Sequence, residues 1–294
     1  MRIAVDVMGG DHGCGVVIRG AIEALRTFDC IDTLLLIGNE EEIRPEIDRL
    51  GGDLSKIEIR HASEVLTMED KPVLGLRRKK DCSILKAVDA VKNGEADAIV
   101  SPGNTGGVVA AATIRLRQLA GIERPCIATT IPTENSHFIV LDSGANVDSK
   151  PVNLAHYAIM GSIYCEQVMG IANPRIGLLS VGTEESKGNE LTHAAFPLCK
   201  QAGVNFIGNI EGHDLFAENV DVVICDGFVG NIVLKTCESM AKGVFGWLKR
   251  EPPPLDLSVT VCAWNRAEEL RGLLENVRGF AREIVVVEEV GWQQ

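Results

Sequence analysis

Residues 176–195 read IGLLSVGTEESKGNELTHAA, an apolar run, then a polar loop at Val181 to Glu190, then a helix-like segment. This is the strand–loop–helix step of an α/β protein, in which loops at the carboxyl ends of the strands line the ligand crevice. Lys187 is the only cation in that loop, among Glu184, Glu185, Asn189 and Glu190. Gly188 after it permits close backbone approach to a ligand, and the helix start that follows favours an anion through its unpaired N–H groups. Taken alone, the same loop also reads as a solvated turn.

Outward from that step, the pattern repeats. Strand-like segments at Arg2 to Val7, Thr33 to Ile37, Lys56 to Arg60, Ala98 to Ser101, Cys126 to Ile131, His137 to Asp142, Pro174 to Ser180, Val204 to Ile210 and Asp221 to Cys225 are interspersed with helix-like ones. The helices are expected at Gly13 to Thr27, Glu40 to Leu50, Ser83 to Asn93, Val108 to Leu119, Asn153 to Met169, Asn189 to Ala202 and Ile232 to Lys249. Such alternation predicts βαβ units and a mainly parallel sheet. Ala158, Gly161 and Ser162 on one helix permit close approach, either inside the fold or across a subunit boundary.

Several strands run into glycine-rich or polar turns. Met8-Gly9-Gly10-Asp11-His12-Gly13 allows a tight strand-to-helix turn with Asp11 as a cap, and it lacks the spacing of a dinucleotide fingerprint. Pro102-Gly103-Asn104-Thr105-Gly106-Gly107 suits an anion or close helix packing, without the terminal GK[ST] of a Walker loop. Asn146 lies in an acidic and amide-rich strand end, Leu141 to Asp148. Asn231, in Asp226-Gly227-Phe228-Val229-Gly230-Asn231, is expected at a helix start, where its amide and nearby backbone donors face a negative oxygen. The run Arg77-Arg78-Lys79-Lys80 is either a solvated face or a docking patch for an acidic partner.

The chain has 294 residues, 46% hydrophobic and 24% charged, with a net charge of −12, which argues against general nucleic-acid binding. Nine cysteines form no CxxC pair and mostly interrupt apolar runs, so they read as core residues of a reducing compartment, with no metal site. No leader-like start or apolar run of spanning length is seen, and a cytoplasmic protein is expected.

In order, IAVDVMGGDHG, MEDKP with RRKK, SPGNTGG, LDSGANVD, VGTEESKGNELT, FIGNIEG and DGFVGNIVLKT resemble the PlsX family of acyl-ACP:phosphate acyltransferases, over about residues 1–250. The resemblance implies a three-layer α/β/α sandwich like that of phosphate acetyltransferase and isocitrate dehydrogenase, usually dimeric. It implies transfer of a fatty acyl group from acyl carrier protein to inorganic phosphate, without a cofactor, for bacterial phospholipid synthesis. Phosphate is then the nucleophile, and no serine or cysteine nucleophile with a histidine base is required. By resemblance Lys187 and Asn231 are the polar pair of the mechanism. Asp6, Gly9, Gly10, Asp11, Asn104, Thr105, Asn146, Glu190 and Asp226 shape the cleft, and Arg77, Arg78, Lys79 and Lys80 meet the carrier protein. Asp6 and Asp226 equally suit capping or structural roles.

After Lys249 the match stops at Glu251-Pro252-Pro253-Pro254, a stiff linker. The family continues with a segment used at the membrane surface, so peripheral membrane association is an open expectation here. Residues 255–289 resemble instead the first strand–helix–strand unit of family-two GT-A glycosyltransferases, without a metal-binding DxD. The expected division is therefore 1–250, a C-terminally incomplete acyltransferase, and 251–294, a glycosyltransferase-like fragment. A noncatalytic, carrier-binding or misassembled remnant, and a CoA-thioester phosphate acetyltransferase, are the alternatives.

Overall fold

The run Leu34-Leu35-Leu36-Ile37 places large aliphatic side chains alternately on both faces of a strand, so both faces must be covered. The computed structural model of the chain describes residues 1–10, 12–51, 55–248, 258–263 and 283–288, and shows how this is done. Strand β2 (Thr33–Gly38) pairs in parallel with β1 (Arg2–Asp6) and β3 (Ile57–His61), and β4 (Ala98–Val100) joins the far side of β1. Leu34 and Leu36 pack with Ile18 and Ile22 of α1 (Cys14–Thr27) and with Ile43 and Ile47 of α2 (Glu40–Leu50). Leu35 and Ile37 pack on the opposite face with Ala87 and Ala90 of α4 (Ser83–Lys92). The alternation gives helix, sheet and helix layers around the first sheet.

A second sheet runs in the order β5 (Ala128–Pro132), β6 (His137–Leu141), β9 (Val222–Ile224), β7 (Ile176–Leu179) and β8 (Phe206–Ile210). All of its pairs are parallel except β5 with β6. Ile139, Leu178 and Val222 bury against Leu154 and Tyr157 of α6 (Pro151–Val168) and Phe196 of α7 (Glu190–Lys200). The small residues of α6 serve this packing: a Cβ at Gly161 would stand 2.5 Å from Val222 Cγ1. They bring helix onto sheet within the chain.

The polar stretch 61–81 contains a short helix not foreseen, α3 (Pro72–Arg78), with Pro72 in its first turn and Gly75 and Leu76 buried. Pro is well placed there because the first N–H groups of a helix lack partners. Helix α5 (Thr105–Arg115) starts three residues before the expected Val108, because the Asn104 side chain accepts the Gly107 N–H at 2.9 Å. Helix α8 (Gly227–Leu248) begins five residues early, so Asn231 lies inside it and not at its start.

Two compact units compose the chain, Met1–Asn231 and Ile232–Gln294. In the second, β10 (Ser258–Ala263) and β11 (Glu283–Glu288) pair in parallel. The helix expected between them and the prolines at 252–254 lie outside the described residues. Among the described residues, no helix is long and apolar enough to cross a membrane.

One ion pair fixes where β7 and β9 begin. Arg175 donates to Asp221 from its backbone N at 2.7 Å, its Nε at 2.9 Å and its Nη2 at 2.8 Å. In return, the N–H groups of Asp221 and Val222 donate to the Arg175 carbonyl. The Arg175 hydrogen bonds hold the Asp221 carboxyl below its ordinary value of 3.8. A depressed folded pKa stabilises the fold above the unfolded pKa and ceases to do so as pH falls through the folded one. Asp221→Asn should therefore lower stability at neutral pH by roughly 2 kcal/mol. In urea unfolding, the gap to wild type should shrink once pH drops below 3.8; a gap that does not change with pH would contradict this role.

Candidate functional site

Adjacent parallel strands deliver their following loops to one edge, so the loops after β1 and β4 are neighbours. Asp6, fully buried at the end of β1, accepts Ser101 Oγ at 2.7 Å and the Met8 N–H at 3.1 Å. A Cβ on Gly9 would lie 2.4 Å from Gly103 Cα, so only glycine permits this backbone contact between the two loops. Gly10 lies against the Pro102 ring. Asp11, expected as a cap, lies outside the described residues. The N-cap position of α1 is Gly13, which makes no side-chain capping bond.

Asn104 joins the second of these loops to the 67–70 segment. Its Nδ2 donates to the Thr67 carbonyl at 3.0 Å and the Asp70 carbonyl at 3.3 Å, while its Oδ1 caps α5. Lys79 is drawn into the same knot, donating to Asp70 Oδ2 and to the Val65 carbonyl. Hydrogen bonding from Lys79 lowers the Asp70 pKa. Of the expected four-cation patch, Arg77, Arg78 and Lys80 are thus exposed, whereas Lys79 is half-buried and paired. Thr105 is exposed in the first turn of α5.

The loop after β6 is organised by Asp142, a residue not selected from the sequence. Its buried carboxylate accepts N–H groups of Ile127, Gly144, Ala145 and Asn146, and the Asn146 Nδ2 at 2.9 Å. Asn146 also donates to the Pro125 carbonyl at 2.6 Å and accepts the Gly227 N–H at its own carbonyl. Its side chain is structural.

Helix α8 docks on this loop through two glycines. A Cβ at Gly227 would approach Asn146 O to 2.7 Å, and one at Gly230 would approach Asp142 O to 1.9 Å. Asp226 caps the helix by accepting the Phe228 and Val229 N–H groups at 2.9 and 3.0 Å. Asn231 is thereby set beside Gly144, its side-chain atoms 3.6–3.8 Å from the Cβ position there. The Asn231 amide has no hydrogen-bond partner among the described residues.

In the loop after β7, the Glu184 carbonyl accepts both the Lys187 N–H at 2.9 Å and Nδ2 of buried Asn209 at 2.9 Å. Gly188 has φ 121°, and a Cβ there would collide with Thr192 Oγ1. Asn189 and Thr192 cap α7 reciprocally, so the protein itself takes up part of the anion-binding potential of that helix start. Lys187 and Glu190 are exposed, and Lys187 forms no ion pair among the described residues. Gly188 and Asn189 line a cavity of about 240 Å³ together with Asp226 and Val229. The loop carrying Lys187 and the start of α8, which carries Asn231, therefore meet at one cavity, although no contact joins the two side chains.

The buried thiols of Cys126, Cys199 and Cys225 are not poised for attack. Burial pushes Cys126 and Cys199 up to about 12 and raises Cys225 further. No cluster of metal-ligating side chains occurs among the described residues.

Residues 1–254 match the family model described as fatty acid synthesis protein. The chain belongs to that family. It is 47% identical over 252 residues to a phosphate acyltransferase of Desulfitobacterium hafniense strain Y51, covering 85% of this chain and 74% of the relative. It is 47% identical over 274 residues to the phosphate acyltransferase of Desulforudis audaxviator, covering 93% and 79%. The fold is also that of EutD phosphotransacetylase from Staphylococcus aureus, with a TM-score of 0.60, 18% identity and 82% of each chain covered. A branched-chain phosphotransacylase from Enterococcus faecalis aligns with a TM-score of 0.54, 13% identity and 81% and 84% coverage. These solved structures support the phosphate acetyltransferase-like α/β architecture.

Because Gly230 abuts the Asp142 carbonyl, Gly230→Ala should push α8 off the 142–146 loop and cost several kcal/mol, as overpacking and strain do. Thermal unfolding of the variant checks it; an unchanged midpoint would show that this approach is not tight.

Proposed function

We propose that this chain transfers an acyl group from the thioester of an acyl carrier protein to inorganic phosphate, giving an acyl phosphate for phospholipid synthesis. One observation carries the reading. Asp6, Asn104 and Asn146 spend their polar atoms inside the scaffold, whereas the Lys187 ammonium, on the loop after β7, and the Asn231 amide, in the first turns of α8, have no partner among the described residues, and those two elements meet at one cavity. A phosphate oxygen attacks the thioester carbon, the carbonyl becomes an oxyanion, and its collapse breaks the C–S bond. The thiolate leaves and takes up a proton as the carrier thiol. Lys187 supplies charge for the phosphate, and the Asn231 amide supplies a donor for the oxyanion. Thr105 and Glu190 stay exposed at helix starts, and their part in the cleft rests on the family resemblance.

Arg77, Arg78 and Lys80, unpaired among the described residues, suit an acidic carrier protein; the carrier is preferred to a CoA thioester because the motifs resemble the carrier-using family. A homodimer in the cytoplasm, with peripheral membrane contact, belongs to the same reading and rests on the family resemblance. The C-terminal segment is read as resembling a glycosyltransferase strand–helix–strand unit; the parallel pairing of β10 and β11 suits that reading without being specific to it.

Thiol release from acyl carrier protein, measured with and without phosphate, separates an acyltransferase from a binding remnant. Lys187→Ala and Asn231→Ala should each lower the phosphate-dependent rate by roughly 100-fold or more, the scale of a lost oxyanion donor, with unchanged unfolding curves. Near-normal turnover in either variant would remove that residue from the mechanism.

Reversing Arg77, Arg78 and Lys80 to glutamate should weaken carrier binding and flatten its dependence on salt. Exposed charges are screened over about 8 Å at physiological ionic strength. Parallel salt slopes for wild type and variant would place the docking face elsewhere.

A further inference from the structure

A second, larger cavity, of about 950 Å³, opens between α3, α5 and the segments at 124–127 and 144–146. That volume is at the upper end of the range for ligand pockets. Its apolar wall comes from Leu76, Val109, Ala110 and Ile114. The chain carries 41 acidic residues, yet no Asp or Glu lines this groove, while Arg77, Lys80, Arg115 and Arg124 do. Arg115 is partly satisfied by Asp89 at 3.3 Å; Arg77, Lys80 and Arg124 have no carboxylate partner among the described residues. Gly144, the residue against which Asn231 rests, also lines the groove.

An apolar wall beside unpaired cations, in an acidic protein, is complementary to an amphiphile that joins a hydrocarbon chain to an anionic group. The free phosphate substrate would use the cations and leave the apolar wall unexplained. A bare fatty chain would do the reverse. The thioester-bearing arm of a carrier protein has both, a phosphodiester at its root and the acyl chain at its tip.

We propose that this groove holds the acylated phosphopantetheine arm of the donor, the acyl chain against Leu76, Val109, Ala110 and Ile114, and the phosphodiester held by Arg124 with Arg77 or Lys80. The assignment rests on the acyltransferase reading above and extends it to the residues that set chain length. Ala110 has the smallest side chain on that wall, so a larger residue there shortens the space for the chain. Ile114 is half-exposed, so a charge there enters the groove without disturbing the core.

The test is equilibrium binding of two stable donor mimics, the hexadecyl and butyl thioethers of phosphopantetheine, to wild type, Ala110→Phe, Ile114→Glu and Arg124→Glu. Ala110→Phe and Ile114→Glu should each lower affinity for the hexadecyl mimic roughly tenfold, the scale of a few methylenes losing contact, and reduce the preference for long over short. Arg124→Glu should weaken both mimics alike. Ile114→Glu keeps the test decisive if Ala110→Phe does not fold. The proposal is overturned if wild type binds neither mimic, if both chain-wall variants bind the hexadecyl mimic like wild type, or if they lose both mimics equally. Phosphate-dependent turnover by wild type is read in parallel. Turnover with unchanged binding in the variants sinks the groove alone, and length-selective binding without turnover sinks the acyltransferase reading alone.

Discussion

A single buried carboxylate, Asp142, holds together the part of the molecule where the chemistry is placed. Five N–H donors converge on its two oxygens, from the lead into β5 and from the loop after β6. Each of these groups would cost about 1–3 kcal/mol if left buried and unpaired, so the carboxylate and the loop specify each other. The loop in turn provides the surface on which Gly227 and Gly230 seat α8. Asn231 stands beside Gly144 because that seat is too tight for any Cβ.

The same division of labour recurs around the strand ends. Polar residues inside the loops are spent on building them: Asp6 ties β1 to Ser101, Asn104 ties α5 to the 67–70 segment, and Asn209 braces the carbonyl that also receives the Lys187 N–H. Glycines at positions 9 and 103 let two loops touch backbone to backbone. What is left unsatisfied is a short set of groups aimed at solvent, Lys187 and Asn231 foremost. A site that must bind an anion and then stabilise a new negative oxygen needs donors that the fold has not already consumed.

The layered fold was legible because its strands are nearly continuous aliphatic runs and its helices carry regular apolar faces, as in Leu34 to Ile37 against α1, α2 and α4. The motifs at the strand ends were legible too: the structure joins the loops after β1 and β4, and it joins the start of α8 to the loops after β6 and β7. Roles inside the motifs were less so. Asn146 was expected to shape the cleft and braces a loop, while Asp226, for which capping was an equal expectation, caps a helix. Asp142 and Asn209 were quoted only as letters of their motifs, because convergence of distant backbone donors on one side chain leaves no local pattern. Helix α3 was hidden by its brevity and its charged end, and α8 began early because Asp226 caps its first turn.

The central claim is that Lys187 and Asn231 serve one bound anion. A crystal structure of the protein with inorganic phosphate tests it most directly. The account predicts the anion at the strand-end loops, with an oxygen about 3 Å from Lys187 Nζ, a normal hydrogen-bond length, and the Asn231 amide facing the same space. Phosphate bound elsewhere, with Lys187 still extended into solvent, would contradict it.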